Sequence, residues 1–151
     1  MGYLTAFNIG SSALQAQRLR LDIISNNIAN AETTKTDSGG PYQRKDVVFK
    51  ANSQNVPFGQ IALSNSNLNS QDNSLNGVSV SQIITDTSPG TKVYDPTHAD
   101  ADANGYVTYP NVNMVVEMTN MLSASRSYEA GLSIVDAAKN MALKTLDIGN
   151  A

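Results

Sequence analysis

Between Val112 and Ile148 the sequence holds to one long helical period, and no upstream stretch does so for as far. Met114, Met118, Met121, Tyr128, Leu132, Val135, Ala142 and Leu146 recur at steps that reduce to three and four. That spacing places them on one helix face, with Ser125 and Lys139 as polar interruptions. A second seam of Gly131, Ile134, Ala138, Met141 and Ile148 runs beside it. Asn111, directly after Pro110, is the expected N-cap, and Gly149-Asn150 reads as the stop. At about 1.5 Å per residue such a helix is roughly 55 Å long, more than a compact domain of this size covers. Its length and its two seams call for partners beyond its own chain.

The other end of the chain repeats the habit. From about Thr5 to Ala31, Phe7, Leu14, Leu21 and Ile28 recur at intervals of seven, and Gly10, Gln17, Ile24 and Ala31 stand three further on. A lone amphipathic helix on a globular core would give a similar stripe. The spacing nearer 3.5 than 3.6, and the long counterpart at the opposite end, favour pairing of the two helices with each other and with copies from neighbouring subunits. Asn26, Asn27 and Asn30 crowd the end of this helix. Asn26 and Asn30 share a face one turn apart, so their amides bond each other or a facing helix; a helix end in which Asn takes up left-handed backbone is the other reading.

Between the helices the sequence turns to loop and strand chemistry. Glu32 to Pro41 is rich in Thr, Ser, Asp and Gly and reads as a loop. Val47-Val48-Phe49 suggests a strand, Phe58 to Leu63 another, and Val78, Val80, Ile83 and Ile84 a third with one break in alternation, as at a bulge. Val93-Tyr94 and Gly105 to Tyr109 complete the set. Ser64 to Gly77 is almost wholly Ser, Asn, Gln and Asp, too polar to bury surface that would offset its ordering entropy, and reads as a mobile insertion. The expected fold is α+β: long N- and C-terminal helices forming a coiled-coil-like pair, with a small β-rich middle. The expected division is residues 1–34, a β-rich segment at 35–110 with its insertion at 64–77, and 111–151.

Composition narrows the function classes. Ten Lys plus Arg against thirteen Asp plus Glu give a net charge of -3, which argues against nucleic acid as a partner. There is no cysteine, hence no thiol nucleophile or thiolate metal site. No apolar run approaches the length of a membrane span, so no membrane insertion is expected, and the N-terminus lacks the pattern of a cleavable secretory signal. Asp100, Asp102, Asn104 and Gly105 match the opening of an EF-hand loop. The twelfth position is Asn111 rather than Glu, and Asp95-Pro96 stands where the entering helix belongs, so a short acidic turn is expected and no metal. His98 is the single histidine, without a second imidazole to share a metal or a base to serve a triad. Glu117 and Glu129 lie more than three turns apart. No catalytic residue and no cofactor site emerges.

Specific motifs remain. Ser25-Asn26-Asn27-Ile28-Ala29-Asn30-Ala31-Glu32-Thr33-Thr34 resembles the N-terminal signature of the bacterial flagellar rod and hook proteins. Glu117-Met118-Thr119-Asn120-Met121-Leu122, continuing as Ser125-Arg126-Ser127-Tyr128-Glu129-Ala130, resembles their shared C-terminal signature. Gly39-Gly40-Pro41-Tyr42-Gln43-Arg44, Tyr94-Asp95-Pro96-Thr97-His98, Gly105-Tyr106-Val107 and Pro110-Asn111-Val112-Asn113 extend the likeness through the middle. The short chain is closer to proximal-rod members than to distal-rod and hook members, which carry larger middle domains. Gly131 and Glu32 depart from the family pattern, each standing where Asn is more usual. The resemblance implies a structural subunit that leaves the cell through the flagellar type III export apparatus without a cleavable signal. It would assemble with copies of itself and with other rod proteins, proximal and distal, into a periplasmic helical shaft that carries motor torque. The terminal helices would form the inner layer and the β middle would face outward. Phe7, Leu14, Leu21, Ile24, Asn27, Ile28 and Asn30, with Met118, Met121, Leu122, Tyr128, Leu132, Val135 and Leu146, are the expected assembly surface. A calcium-dependent extracellular module and a cytoplasmic coiled-coil adaptor each fit part of the chain, and neither accounts for both terminal signatures.

Overall fold

The computed structural model describes residues 2–51 and 77–149. Phe58 to Leu63, and all of the polar stretch from Ser64 except Gly77, lie outside the described residues. Helix α1 spans Gly2–Ala29 and helix α2 spans Met114–Gly149. At about 1.5 Å per residue they are roughly 42 and 54 Å long. They run antiparallel: Gly10 lies beside Val135, Leu14 beside Gly131, and Asn27 bonds Glu117. Their mutual contact is the largest between any two elements.

The seam that holds them follows a heptad. On α2 the buried positions are Glu117, Ala124, Gly131 and Ala138, and Met121, Tyr128, Val135 and Ala142 between them are half-buried. On α1 Gly10 and Ile24 are buried, with Leu14, Gln17, Leu21 and Ile28 half-buried. Small residues at the buried positions let the backbones approach closely. A Cβ on Gly10 would come within 2.9 Å of Val135 Cγ2, and one on Gly131 within 3.1 Å of Leu14 Cδ2. Gly131, costly by propensity in mid-helix, thus makes room for Leu14.

Between the helices lie two antiparallel ribbons. β1 (Lys45–Ala51) pairs with β2 (Val78–Thr85), and β3 (Lys92–Tyr94) with β4 (Tyr106–Thr108). Branched and aromatic residues at Val47, Val48 and Phe49 opposite Ile83 and Val80 suit a pleated, half-buried surface. Val48 pairs with Gln82 and Phe49 with Val80, so Ser81 is the extra residue of the bulge that the broken alternation suggested. The β1–β2 ribbon packs on α1 rather than on α2. The Ser12 hydroxyl donates to the Ile9 carbonyl at 2.8 Å and accepts from the Val78 amide at 3.1 Å, and the Arg20 guanidinium lies 5.9 Å from the centre of the Phe49 ring.

At the helix ends one detail differs from expectation, and one of two open readings is decided. Asn113, not Asn111, caps α2: its Oδ1 accepts from the Val115 and Val116 amides at 3.0 and 3.2 Å. Asn111 is engaged elsewhere, accepting from the Arg44 amide at 3.1 Å and reaching toward the Asp86 carbonyl at 3.4 Å, partners 67 and 25 residues away that local spacing does not reveal. No Asn takes up left-handed backbone among the described residues. Asn30 instead turns its amide back onto Asn26, bonding the carbonyl at 2.9 Å and the side-chain oxygen at 3.3 Å.

The two seam glycines are expected to respond oppositely to substitution. Gly131→Ala gains about 1 kcal/mol of helix propensity and asks only that a terminal methyl of Leu14 yield by a few tenths of an ångström, so its urea midpoint stays level or rises. Gly10→Leu forces a bulky side chain against the stiff, branched Val135 and lowers stability by about 1–3 kcal/mol, less the propensity gain.

Candidate assembly interface

Where the last turn of α1 meets the first turns of α2, the seam changes from apolar to polar. Asn27 is 0 % exposed and Glu117 is 1 % exposed. Such groups are tolerated in an interior when their hydrogen-bonding capacity is filled. Asn27 engages every one of its positions: Nδ2 donates to the Lys45 carbonyl at 2.8 Å and to Glu117 Oε2 at 3.0 Å, while Oδ1 accepts from the Lys45 amide at 3.0 Å and shares the single Tyr42 hydroxyl proton, at 2.9 Å, with Asn26 Oδ1. Glu117 Oε1 accepts from Arg44 Nε at 2.9 Å, and Arg44 Nη1 reaches Asp46 Oδ2 at 3.2 Å. The chain after α1 folds back to supply these partners, with the Tyr42 amide donating to the Thr33 carbonyl at 3.0 Å.

The electrostatics follow from this arrangement. Burial works against the Arg44 charge, but its hydrogen bond and charge contact with Glu117, aided by Asp46, outweigh that and hold its pKa above the ordinary value. Burial, and then the negative charge of Glu117, push the Tyr42 hydroxyl above its ordinary 10.0. The polar groups here are three charges, one side-chain amide and one hydroxyl, each bonded to another of the set.

The residues singled out in the sequence divide into two sets. Leu14, Leu21, Ile24 and Ile28 of α1, with Met121, Tyr128 and Val135 of α2, are buried or half-buried at positions on the seam heptads, and Asn27 is buried beside them. Phe7, Met118, Leu122, Leu132 and Leu146 are exposed in the single chain. Asn30, at the rim, also accepts from the Thr33 hydroxyl at 3.2 Å. Sequence reading missed Glu117, Arg44 and Tyr42 as a unit. The available signal was position: Glu117 stands four residues before Met121 and seven before Ala124, so the seam carried backward passes through it.

The acidic turn is explained by its own hydrogen bonds. Asp102 Oδ1 accepts from the Asn104 and Tyr106 amides at 2.8 and 2.9 Å, Asp95 Oδ1 from the amide and hydroxyl of Thr97, and Asp100 Oδ2 from the Thr34 hydroxyl at 2.7 Å. His98 Nδ1 accepts from the Asp100 amide at 3.1 Å, and its ring meets Tyr109 edge-on. Among the described residues no group of three or more His, Asp or Glu side chains is placed to hold a metal, and no helix is long and apolar enough to cross a membrane.

The comparisons with known proteins fall on this same framework. Residues 7–35, most of α1 and the turn after it, match the family described as "Flagella basal body rod protein", and residues 103–148, β4 and α2, match "Flagellar basal body rod FlgEFG protein C-terminal". The two paired helices are therefore those of a flagellar basal-body rod protein, a structural class and not an enzyme. Over nearly the full length the chain is 44% identical to the flagellar basal-body rod protein FlgC of Borreliella burgdorferi, covering 98% of each chain. It is 41% identical to FlgC of Bacillus subtilis, over 97% of this chain and 99% of the relative, and 41% identical to FlgC of Salmonella typhimurium, over 99% of each. The chain belongs to the FlgC family of flagellar basal-body rod proteins.

Substitutions in the cluster are expected to rank by the charge they leave behind. Replacing Arg44 by Met strands the buried Glu117 carboxylate and costs about 3–5 kcal/mol, whereas Glu117→Gln leaves Arg44 with Asp46 and solvent and costs about 1–2 kcal/mol. Urea midpoints of the two variants check the order. Tyr42 adds a pH dependence. An unfolded chain ionises this hydroxyl near 10 while the folded chain resists, so its contribution is intact below pH 10 and is lost as pH rises above 10 toward the raised folded value. Between pH 9 and 11 the native chain is expected to lose more stability than Tyr42→Phe, by urea unfolding at both pH values.

Proposed function

We propose that this chain is a proximal-rod subunit that assembles with copies of itself and with other rod proteins, proximal and distal, into a helical shaft carrying motor torque across the periplasm. The observation that supports this reading most is the apolar surface of α2 outside its seam. On one flank Met118 and Leu122 are exposed, and on the other Val116, Ile134 and Met141. Flanks of opposite direction on one helix suit packing by further helices on both sides, as in a coiled-coil tube. Counted from the Gly10–Val135 and Leu14–Gly131 approaches, α1 begins opposite about Leu143, so α2 continues past it with Leu146 and Ile148 uncovered.

In this reading residues 1–34 and 111–151 form the shaft layer and 35–110 face outward, with no nucleic acid, cofactor or membrane insertion involved. The chain reaches the rod through the flagellar type III export apparatus. Leu132, 46 % exposed, is free of the single-chain core, so Leu132→Asp should leave folding and export intact. The expected outcome is exported protein, no swimming on soft agar and hook–basal bodies without completed rods; a burial term of about 1.5–3 kcal/mol per contact, replaced by a buried charge, is enough to block a stacked assembly. Normal swimming of this variant, or absence of the native chain from purified rods, overturns the proposal.

A further inference from the structure

The α1–α2 seam is a poor specifier of its own alignment. On α2 the buried Glu117, Ala124, Gly131 and Ala138 repeat every seven residues, as do the half-buried Met121, Tyr128, Val135 and Ala142, and Leu14, Leu21 and Ile28 repeat at the same interval on α1. Sliding one such stripe along the other by a heptad, about 10.5 Å, sets Leu14, Leu21 and Ile28 against small or apolar residues again, with Gln17 as the polar position carried along. In the slide that carries Leu14 from Gly131 to Ala138, Gly10 would exchange Gly131 and Val135 for Ala138 and Ala142, small residues against a position with no side chain. Leu14 would meet one added methyl, at a place where a Cβ already falls 3.1 Å from its Cδ2. Neither change excludes the slid pair.

One layer of the seam is not interchangeable. Asn27 and Arg44 converge on Glu117, and after the slide Ala124 would occupy that place, offering a methyl to an amide and a guanidinium. Glu117 itself would be carried past the end of α1. A polar contact at a single core position of a helix pair is the best-attested use of a buried polar group, fixing register at some expense in stability.

We infer that the Asn27–Arg44–Glu117 cluster is a register lock that selects one of several near-equivalent alignments of α1 and α2 and roots the β1–β2 ribbon to that alignment. The rooting is direct. Asn27 holds both the amide and the carbonyl of Lys45, the first residue of β1, and Asn111 holds the amide of Arg44. The ribbon lies along α1, and its first residue is thus tied to the same layer that sets the alignment.

The chain has no cysteine of its own, so pairs of introduced thiols report alignment cleanly. Leu14→Cys with Gly131→Cys closes in the observed alignment, and Leu14→Cys with Ala138→Cys in the slid one, because a disulfide requires Cα atoms within about 7 Å. In the otherwise native full-length chain only the first pair closes. Glu117→Leu, which makes the layer apolar, is expected to raise closure of the second pair about tenfold or more with helix content unchanged by circular dichroism. Glu117→Gln, which keeps the shape and one hydrogen bond, gives an intermediate yield. If either variant keeps its helices and closes only the first pair, the lock is refuted. Loss of the helix pair in both variants refutes it as well, since the cluster would then serve stability and not alignment.

Discussion

Glu117 sits at the closed end of a helix contact, at a seam position where an apolar residue would be expected, and the first part of the fold is arranged around keeping it there. An ionised carboxylate withdrawn from water is costly unless it is paired and hydrogen-bonded. Its cation, Arg44, and its amide donor, Asn27, come from segments 73 and 90 residues away in sequence. The loop after α1 therefore folds back, β1 begins beside the helix ends, and α2 is entered at one place, all as conditions of one carboxylate. A well-packed apolar residue could give the seam equal or greater stability. What the carboxylate adds is a demand for particular partners.

The helices and most strands were legible because their signals are local and periodic. Stripes at three-four spacing located α1 and α2, and branched runs located β1 and β2, down to the break that Ser81 makes in the ladder. The failures share one cause. Asn111 looked like a cap from its place after Pro110, yet its amide is taken by Arg44 and Asp86. Arg44 stood out only as part of a motif, and Glu117 only as a carboxylate too far from Glu129 to act with it. Each belongs to a contact between distant segments, and periodicity carries no information about which polar group will find which. Gly131 was legible only as a departure; that its missing side chain admits Leu14 needed the facing helix.

The split between buried and exposed apolar positions bears on the proposed rod. The seam is filled largely by small residues, Gly10, Ala124, Gly131 and Ala138, while larger ones such as Leu122, Ile134, Met141 and Leu146 are left outside. Small residues at the contact bring two backbones close without burying much area. Large residues turned outward hold most of the chain's unused hydrophobic free energy, about 1.5–3 kcal/mol for each one fully buried. Such a subunit is moderately held within itself and strongly inclined to be covered by others.

The β1–β2 ribbon has a consequence for how chains of this design vary in size. Ala51 and Val78 are paired, so the excursion between them starts and finishes at neighbouring points. Closing a longer excursion across the same two points costs only about 0.6 kcal/mol for each doubling of its length. The polar root lies at the opposite end of the ribbon, while Val78 at this end is tied to Ser12 of α1. Segments of different length are therefore accommodated between Ala51 and Val78 at little cost to the pairing that brackets them.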